Sequence, residues 1–277
     1  MTYTTANITT ADKLSLTTHS WTVPMPKAKI IFVHGFFEHG FRYKREAEYF
    51  NQEGINFYTY DQRSHGLSDG KYRSYVDNFQ HYVDDYELFL NSPPKSTVPT
   101  FLFAHSMGGL VLVSYLLYTS NKIDNKGIIL SAPLLMPDKN TAPLLQKMSG
   151  IVGTLFPRLK TIKIDANAVS SDPKEVEKYT SDPLNYTDKM YASSGYHLLK
   201  QMKKVQGDMT KFEWPYLILH GTDDKLAEIE GSRLLHSLAS SEDKQFVELK
   251  DYRHEITRDI GHEHVLETIL NWINKRI

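Results

Sequence analysis

The stretch FLFAHSMGGL, Phe101–Leu110, decides how this chain is read. An apolar run closes on a serine, two glycines stand just beyond it, and LVLVSYLLY continues as an apolar segment of helical length. That order fits a nucleophile elbow, a tight strand–turn–helix that exposes a serine hydroxyl in a strained backbone conformation. The turn demands small residues two positions to either side of the serine, because a larger side chain would collide with the neighbouring backbone. Gly108 meets the demand on one side and Gly109 adds room. On the other side Ala104 stands where the G-x-S-x-G pattern has glycine, and alanine is the next smallest residue. The competing reading of Ser106 is an ordinary N-cap on a buried helix.

Working outward, short apolar runs alternate with longer segments of helical period, the pattern of an α/β fold. Lys29–Gly35, Ile55–Arg63, Thr100–Ser106, Gly127–Pro133, Tyr216–Asp224 and Gln245–Asp251 read as strands. They are apolar without alternation, which suits a parallel sheet covered on both faces. Lys13–Val23 adds one or two edge strands. Helical spacing covers Arg42–Gln52, Tyr75–Leu90, Met107–Tyr118, Glu230–Ala239 and Arg258–Asn274. Between the fourth strand and the fifth lie about 80 residues, where such loops ordinarily take ~2–6. A mainly helical cap is therefore expected over residues 133–211, inserted into a core formed by 1–132 and 212–277.

Composition narrows the function. The chain has 277 residues, a formal net charge of −1 and no cysteine. Near-neutral charge without a long basic run gives no electrostatic case for nucleic acid. The missing cysteines exclude disulfides, a thiolate nucleophile and a cysteine-based zinc site. His34 and His39 offer metal-ligand side chains, but no HExxH accompanies them, and neither metal nor organic cofactor is expected. The polar N-terminus resembles no signal peptide, and no run approaches the ~18 apolar residues of a membrane span. A soluble cytoplasmic protein is expected, peripheral at membranes where a lipid surface is engaged.

In open α/β sheets ligands bind beyond the carboxyl ends of the strands. His34, Asp61, Ser106, Asp224 and His254 close strands and are the first candidates. A serine hydroxyl needs a base to take its proton, and in this arrangement the chain order is serine, acid, histidine. His254 follows the last strand, whereas His262 and His264 sit two apart in an expected helix. HGTDDKL supplies Asp223 and Asp224, between which spacing alone does not choose. Acyl transfer also needs amide donors for the developing oxyanion. Met107, next after the serine, is one, and Phe36 in the loop VHGFFEHG is the other.

These residues resemble the monoacylglycerol lipase and lysophospholipase family of α/β-hydrolases. HGFFEHGFRY is similar to that family's HGxGEHxxRY, YDQRSHGLSDG to its DxRGHGxSxG, and AHSMGG to its GHSMGG. LHGTDDKLAEIEGS is similar to HGxxDxLxxxxGS, DYRHEI to the terminal histidine loop, and SDPLNY to a segment of the family cap. The matches run in order from Ile31 to about Ile256. The resemblance implies a mostly parallel sheet flanked by helices with an inserted helical cap, and it puts the acid at Asp224. It implies a serine esterase acting on fatty-acid esters, monoacylglycerols first, with lysophospholipids or short-chain esters next. Phe37, Glu38, Arg42 and His105 become candidate substrate contacts, Glu38 and Arg42 being equally apt for a structural ion pair. Three positions depart from the family: Ala104, Ser64 and Phe37 each replace a glycine. Phe37, beside the oxyanion donor, is expected to narrow or line the pocket. The apolar stretch Pro133–Leu159 suits a cap that touches lipid aggregates. A serine aminopeptidase of the same fold and a non-catalytic binding protein are the rival readings.

Overall fold

A computed structural model of the chain describes residues 1–119, 124–137 and 150–277. The strands are β1 (Thr2–Thr9), β2 (Ser15–Thr22), β3 (Ala28–Val33), β4 (Ile55–Tyr60), β5 (Thr100–His105), β6 (Gly127–Ser131), β7 (Tyr216–Gly221) and β8 (Lys244–Leu249). The helices are α1 (Lys44–Gln52), α2 (Phe79–Leu90), α3 (Met107–Tyr118), α4 (Pro173–Ser181), α5 (Ala192–Asp208), α6 (Ile229–Leu238) and α7 (His262–Asn274). Residues 150–155 are also helical.

One eight-stranded sheet runs in the order β1-β2-β4-β3-β5-β6-β7-β8. β3 to β8 pair in parallel, and β1 and β2 join antiparallel. β5 shows why its sequence lacks alternation. Leu102 and Ala104 face the layer containing α2 and α3, while Phe101 and Phe103 face the layer containing α1 and α7. Both faces are covered, so every position is apolar. β3 neighbours both β4 and β5, so the strand order reverses between β3 and β5. Crevices for ligands open at such a reversal, and Ser106 and the loop after β3 sit at its carboxyl end.

Several boundaries differ from the sequence expectation. α2 begins at Phe79 rather than Tyr75, because the side chain of Asn78 caps it by accepting from the Gln80 N–H at 3.0 Å. α7 begins at His262, after Gly261 in the left-handed region. β1 falls in the polar N-terminus, where no strand was expected. It pairs with β2 along its whole length, yet among its residues only Ile8 is even half-buried. The Tyr3 ring packs at a tilt on Trp21 at 5.0 Å and edge-on to Phe41 at 5.5 Å. A strand held by its ladder and one ring carries no apolar periodicity.

Between β6 and β7 the described residues add no strand to the sheet; they hold 150–155, α4 and α5. Leu198, Met202 and Val205 of α5 pack into the same core as α3, and Gln201 donates to the Ser114 hydroxyl at 2.8 Å. Part of the apolar stretch Pro133–Leu159, residues 138–149, lies outside the described residues. No helix among the described residues is long and apolar enough to cross a membrane.

Candidate active site

Ser106 stands between β5 and α3 with φ 52° and ψ −119°. A non-glycine residue in that region costs about 1–3 kcal/mol and persists only where its surroundings fix it. They do. The Ser106 N–H donates to Ser131 O at 3.0 Å, and Ser106 O accepts from Leu134 N–H at 2.9 Å. Gly108 lies so close to β3 that a Cβ there would stand 2.4 Å from Val33 O and 2.5 Å from His34 O. Ala104 is wholly buried between Val33 and Leu130, where a methyl group is accommodated.

Three of the strand-closing candidates form one hydrogen-bonded line. His254 Nε2 lies 2.8 Å from Ser106 Oγ, and His254 Nδ1 lies 2.7 Å from Asp224 Oδ2. Asp224 Oδ1 accepts from the Leu226 and Ala227 amides at 2.8 and 3.0 Å. Asp223 points away, to Lys225 at 3.4 Å and Arg253 at 3.8 Å. His262 and His264 sit in the first turn of α7, apart from this line. Burial pushes the Asp224 carboxyl up, but the rings of His254 and His220 outweigh it and hold the group well below the usual carboxylate range. Burial likewise opposes a charged His254, yet the Asp224 carboxylate wins and raises its pKa above the ordinary histidine value. An imidazole so paired is able to take a proton from the serine and hold it.

The other two strand-closing residues serve the backbone. His34 Nδ1 donates to Gly35 O at 2.7 Å, while its Nε2 accepts from the Gln62 N–H at 2.9 Å. Asp61 accepts from the Gly40 and Leu67 amides at 2.7 and 2.8 Å, tying the turns after β3 and β4 together.

The loop after β3 reaches the elbow at Gly35, where an added Cβ would stand 3.1 Å from Ser106 Cβ. The amides of Phe36 and Met107 flank this contact, and neither meets an acceptor among the described residues. Glu38 holds the loop by accepting from Gly35 N–H at 2.5 Å, Tyr43 OH at 2.9 Å and Arg42 Nη1 at 2.6 Å. Arg42 also forks onto Glu255 at 2.8 and 2.9 Å. Burial raises the Glu255 carboxyl, but Arg42 and Arg258 together bring it down to about 2. Arg42 is thus occupied by buried carboxylates, whereas Glu38 belongs to the network and also lines the cavity above Ser106.

That cavity measures about 390 Å³. Leu134, Ile162, Met190, Leu198, Leu199 and Met202 give it an apolar wall, and Phe36, His105 and His254 stand with Ser106 at its base. His105 Nδ1 donates to Ser131 O at 3.1 Å, and burial lowers its pKa to about 3, so it stays neutral beside His254.

Phe37 is placed otherwise than expected. It is absent from the lining of this cavity and instead walls a second one of about 430 Å³ with Tyr179 and Tyr186. Its ring stacks on Phe36 at 4.1 Å and meets Tyr186 at 5.0 Å, and its carbonyl accepts from the Tyr186 N–H at 2.9 Å. Its φ is 69° and that of Ser64 is 66°, so two of the three glycine replacements occupy left-handed backbone. The backbone still takes the glycine conformation, while the new ring ties the loop to the segment between β6 and β7. Phe37→Ala is expected to cost about 3 kcal/mol in denaturant unfolding, since a buried ring is lost while the strained φ stays. A loss below about 1 kcal/mol would show that the ring contributes no such tie.

Residues that spacing did not single out complete the site. His220, Glu255 and Tyr179 come from three segments; His220 lay inside HGTDD and Glu255 inside DYRHEI, and Tyr179 in no such motif.

A reversing parallel sheet, a strained serine elbow and a serine–histidine–aspartate line at its carboxyl edge define an α/β-hydrolase. A model of the family described as serine aminopeptidase, S33 matches residues 24–261. The chain belongs to that family, in its monoglyceride lipase-like branch, and is a carboxylic-ester hydrolase. It is 29% identical over 250 residues to a monoacylglycerol lipase of Mycolicibacterium smegmatis, covering 90% of this chain and 88% of that one. It is 32% identical over 261 residues to a monoglyceride lipase homolog of monkeypox virus, covering 92% of each. Among solved structures, Paleococcus ferrophilus monoacylglycerol lipase matches with a TM-score of 0.82 and 25% identity over 100% of both chains.

Proposed function

We propose that the chain hydrolyses fatty-acid esters, monoacylglycerols foremost, through an acyl-enzyme on Ser106. The observation that carries this is the Ser106–His254–Asp224 line at the base of an apolar cavity. His254 takes the hydroxyl proton as Ser106 Oγ attacks the ester carbonyl. The Phe36 and Met107 amides receive the oxyanion, and His254 then protonates the departing alcohol. Water, activated by the same imidazole, releases the fatty acid. No step calls on a metal or organic cofactor. Residues 133–211 act as a cap on a core of 1–132 and 212–277, and the apolar wall holds the acyl chain. Ile151, Leu155, Phe156 and Leu159 are each more than half exposed, and Ile162, also exposed, lines the cavity. We take this apolar ridge as the place where the cap meets a lipid surface.

The test is a substrate series: monoacylglycerols, lysophospholipids, p-nitrophenyl esters of graded chain length and aminoacyl amides. The highest kcat/KM is expected on a monoacylglycerol. Turnover confined to the aminoacyl compounds would overturn the ester assignment in favour of an aminopeptidase. Within the same series, Phe156→Ser is expected to slow hydrolysis of vesicle-borne substrate severalfold and to leave a soluble short-chain ester unaffected. Equal rates on both would remove the lipid contact.

A further inference from the structure

We propose that His220 is a positioning residue for Asp224 and that Ser232 supports it by donating to its other ring nitrogen; the inference rests on the roles given to Ser106, His254 and Asp224 above. His220 closes β7 and is wholly buried. Its Nε2 lies 3.0 Å from Asp224 Oδ2 and 3.1 Å from Ala227 O. Both are acceptors, so Nε2 carries the hydrogen. Its Nδ1 lies 2.8 Å from the Ser232 hydroxyl, on α6. A neutral ring protonated at Nε2 accepts at Nδ1, so Ser232 donates there.

Four nitrogens therefore lie within 3.0 Å of the Asp224 carboxylate oxygens. Leu226 and Ala227 amides hold Oδ1, while His254 and His220 share Oδ2. A carboxylate turns broadly about Cβ–Cγ, and turning would lift Oδ2 out of line with His254. His220 meets Oδ2 from another direction than His254 does and removes that freedom. It does not line the cavity over Ser106, so its route to the reaction runs through Asp224. The chain thus extends the line by two members, Ser106–His254–Asp224–His220–Ser232, and gives a physical role to the histidine of HGTDD and the serine of EGS.

The experiment is a double-mutant cycle on a soluble p-nitrophenyl ester. His220→Leu is expected to lower kcat about 10- to 100-fold, as loss of an outer partner does for metal-bound histidines, with KM unchanged. His220→Gln, which keeps a donor near the Nε2 position, recovers part of the loss. In an Asp224→Asn background His220→Leu costs nothing further, because its route is gone. Should His220→Leu fail to fold, Ser232→Ala replaces it, with about a threefold loss of kcat that likewise vanishes beside Asp224→Asn. Native kcat in a folded His220→Leu, or the same fold-loss in both backgrounds, overturns the proposal. Ser106→Ala separates the two levels. If it is inactive while His220→Leu is native, only this inference falls; if it is fully active, the roles beneath it fall too.

Discussion

Replacing Ser106 by alanine is expected to lower kcat for ester hydrolysis by about 10⁶-fold, the scale on which a nucleophilic serine is lost elsewhere. Labelling by a fluorophosphonate is expected to disappear with it. The fold should be indifferent to the change. The elbow is fixed by backbone hydrogen bonds from Ser106 N–H and to Ser106 O, and alanine keeps both. Among the described residues the hydroxyl makes one hydrogen bond, with His254 Nε2, so its removal frees a ring nitrogen that faces the cavity. Melting temperature should therefore stay close to native while turnover collapses. What remains above the uncatalysed rate reports the oxyanion amides and substrate binding, about 10³–10⁴. Full activity in Ser106→Ala would show that the nucleophile lies elsewhere, whereas a native protein with neither turnover nor fluorophosphonate labelling would revive the reading of a non-catalytic protein.

How far the sequence reached depends on whether a feature is local. The elbow is local: strand, serine, two glycines and helix lie within FLFAHSMGGL, and Ala104 proves to be a small residue in a buried strand. The parallel strands announce themselves through apolar runs covered on both faces. Asp224 was separable from Asp223 only through family resemblance, because adjacent side chains differ in direction rather than in composition. The Glu38–Arg42 ion pair was one of two readings open in the sequence, but its extension to Glu255 escaped, since it joins the loop after β3 to the residue beyond His254. Phe37 shows a further limit. Its replacement of a glycine was visible, and its nearness to the oxyanion amide suggested the pocket. The left-handed φ turns the ring to Tyr186 instead, and no sequence pattern encodes that direction.

Asp224→Asn carries the second large effect, about 10⁴-fold in kcat, and the local donors say why. Leu226 and Ala227 both aim N–H groups at Oδ1, so the asparagine oxygen must settle there. Its NH₂ then takes the place of Oδ2 and faces His254 Nδ1. A donor at that position forces the imidazole to carry its hydrogen on Nε2, the atom that must accept the proton of Ser106. The ring is held in the tautomer unable to act as base. The NH₂ also meets the His220 N–H, which loses its charged acceptor. The pH profile gives an independent sign. In the native protein the Asp224 carboxylate raises the pKa of His254, and the working base is the neutral ring. Native kcat/KM therefore falls as pH drops through a value above that of an ordinary histidine. Loss of the carboxylate charge removes the stabilisation of the imidazolium, so the acid limb of Asp224→Asn must move to lower pH. A variant of Asp223 should keep both the native rate and the native limb, because its carboxylate faces Lys225 and Arg253 rather than the imidazole. An acid limb that stays in place in Asp224→Asn, with kcat reduced, would mean that the titrating group is not His254, and the assignment of the base would have to be abandoned.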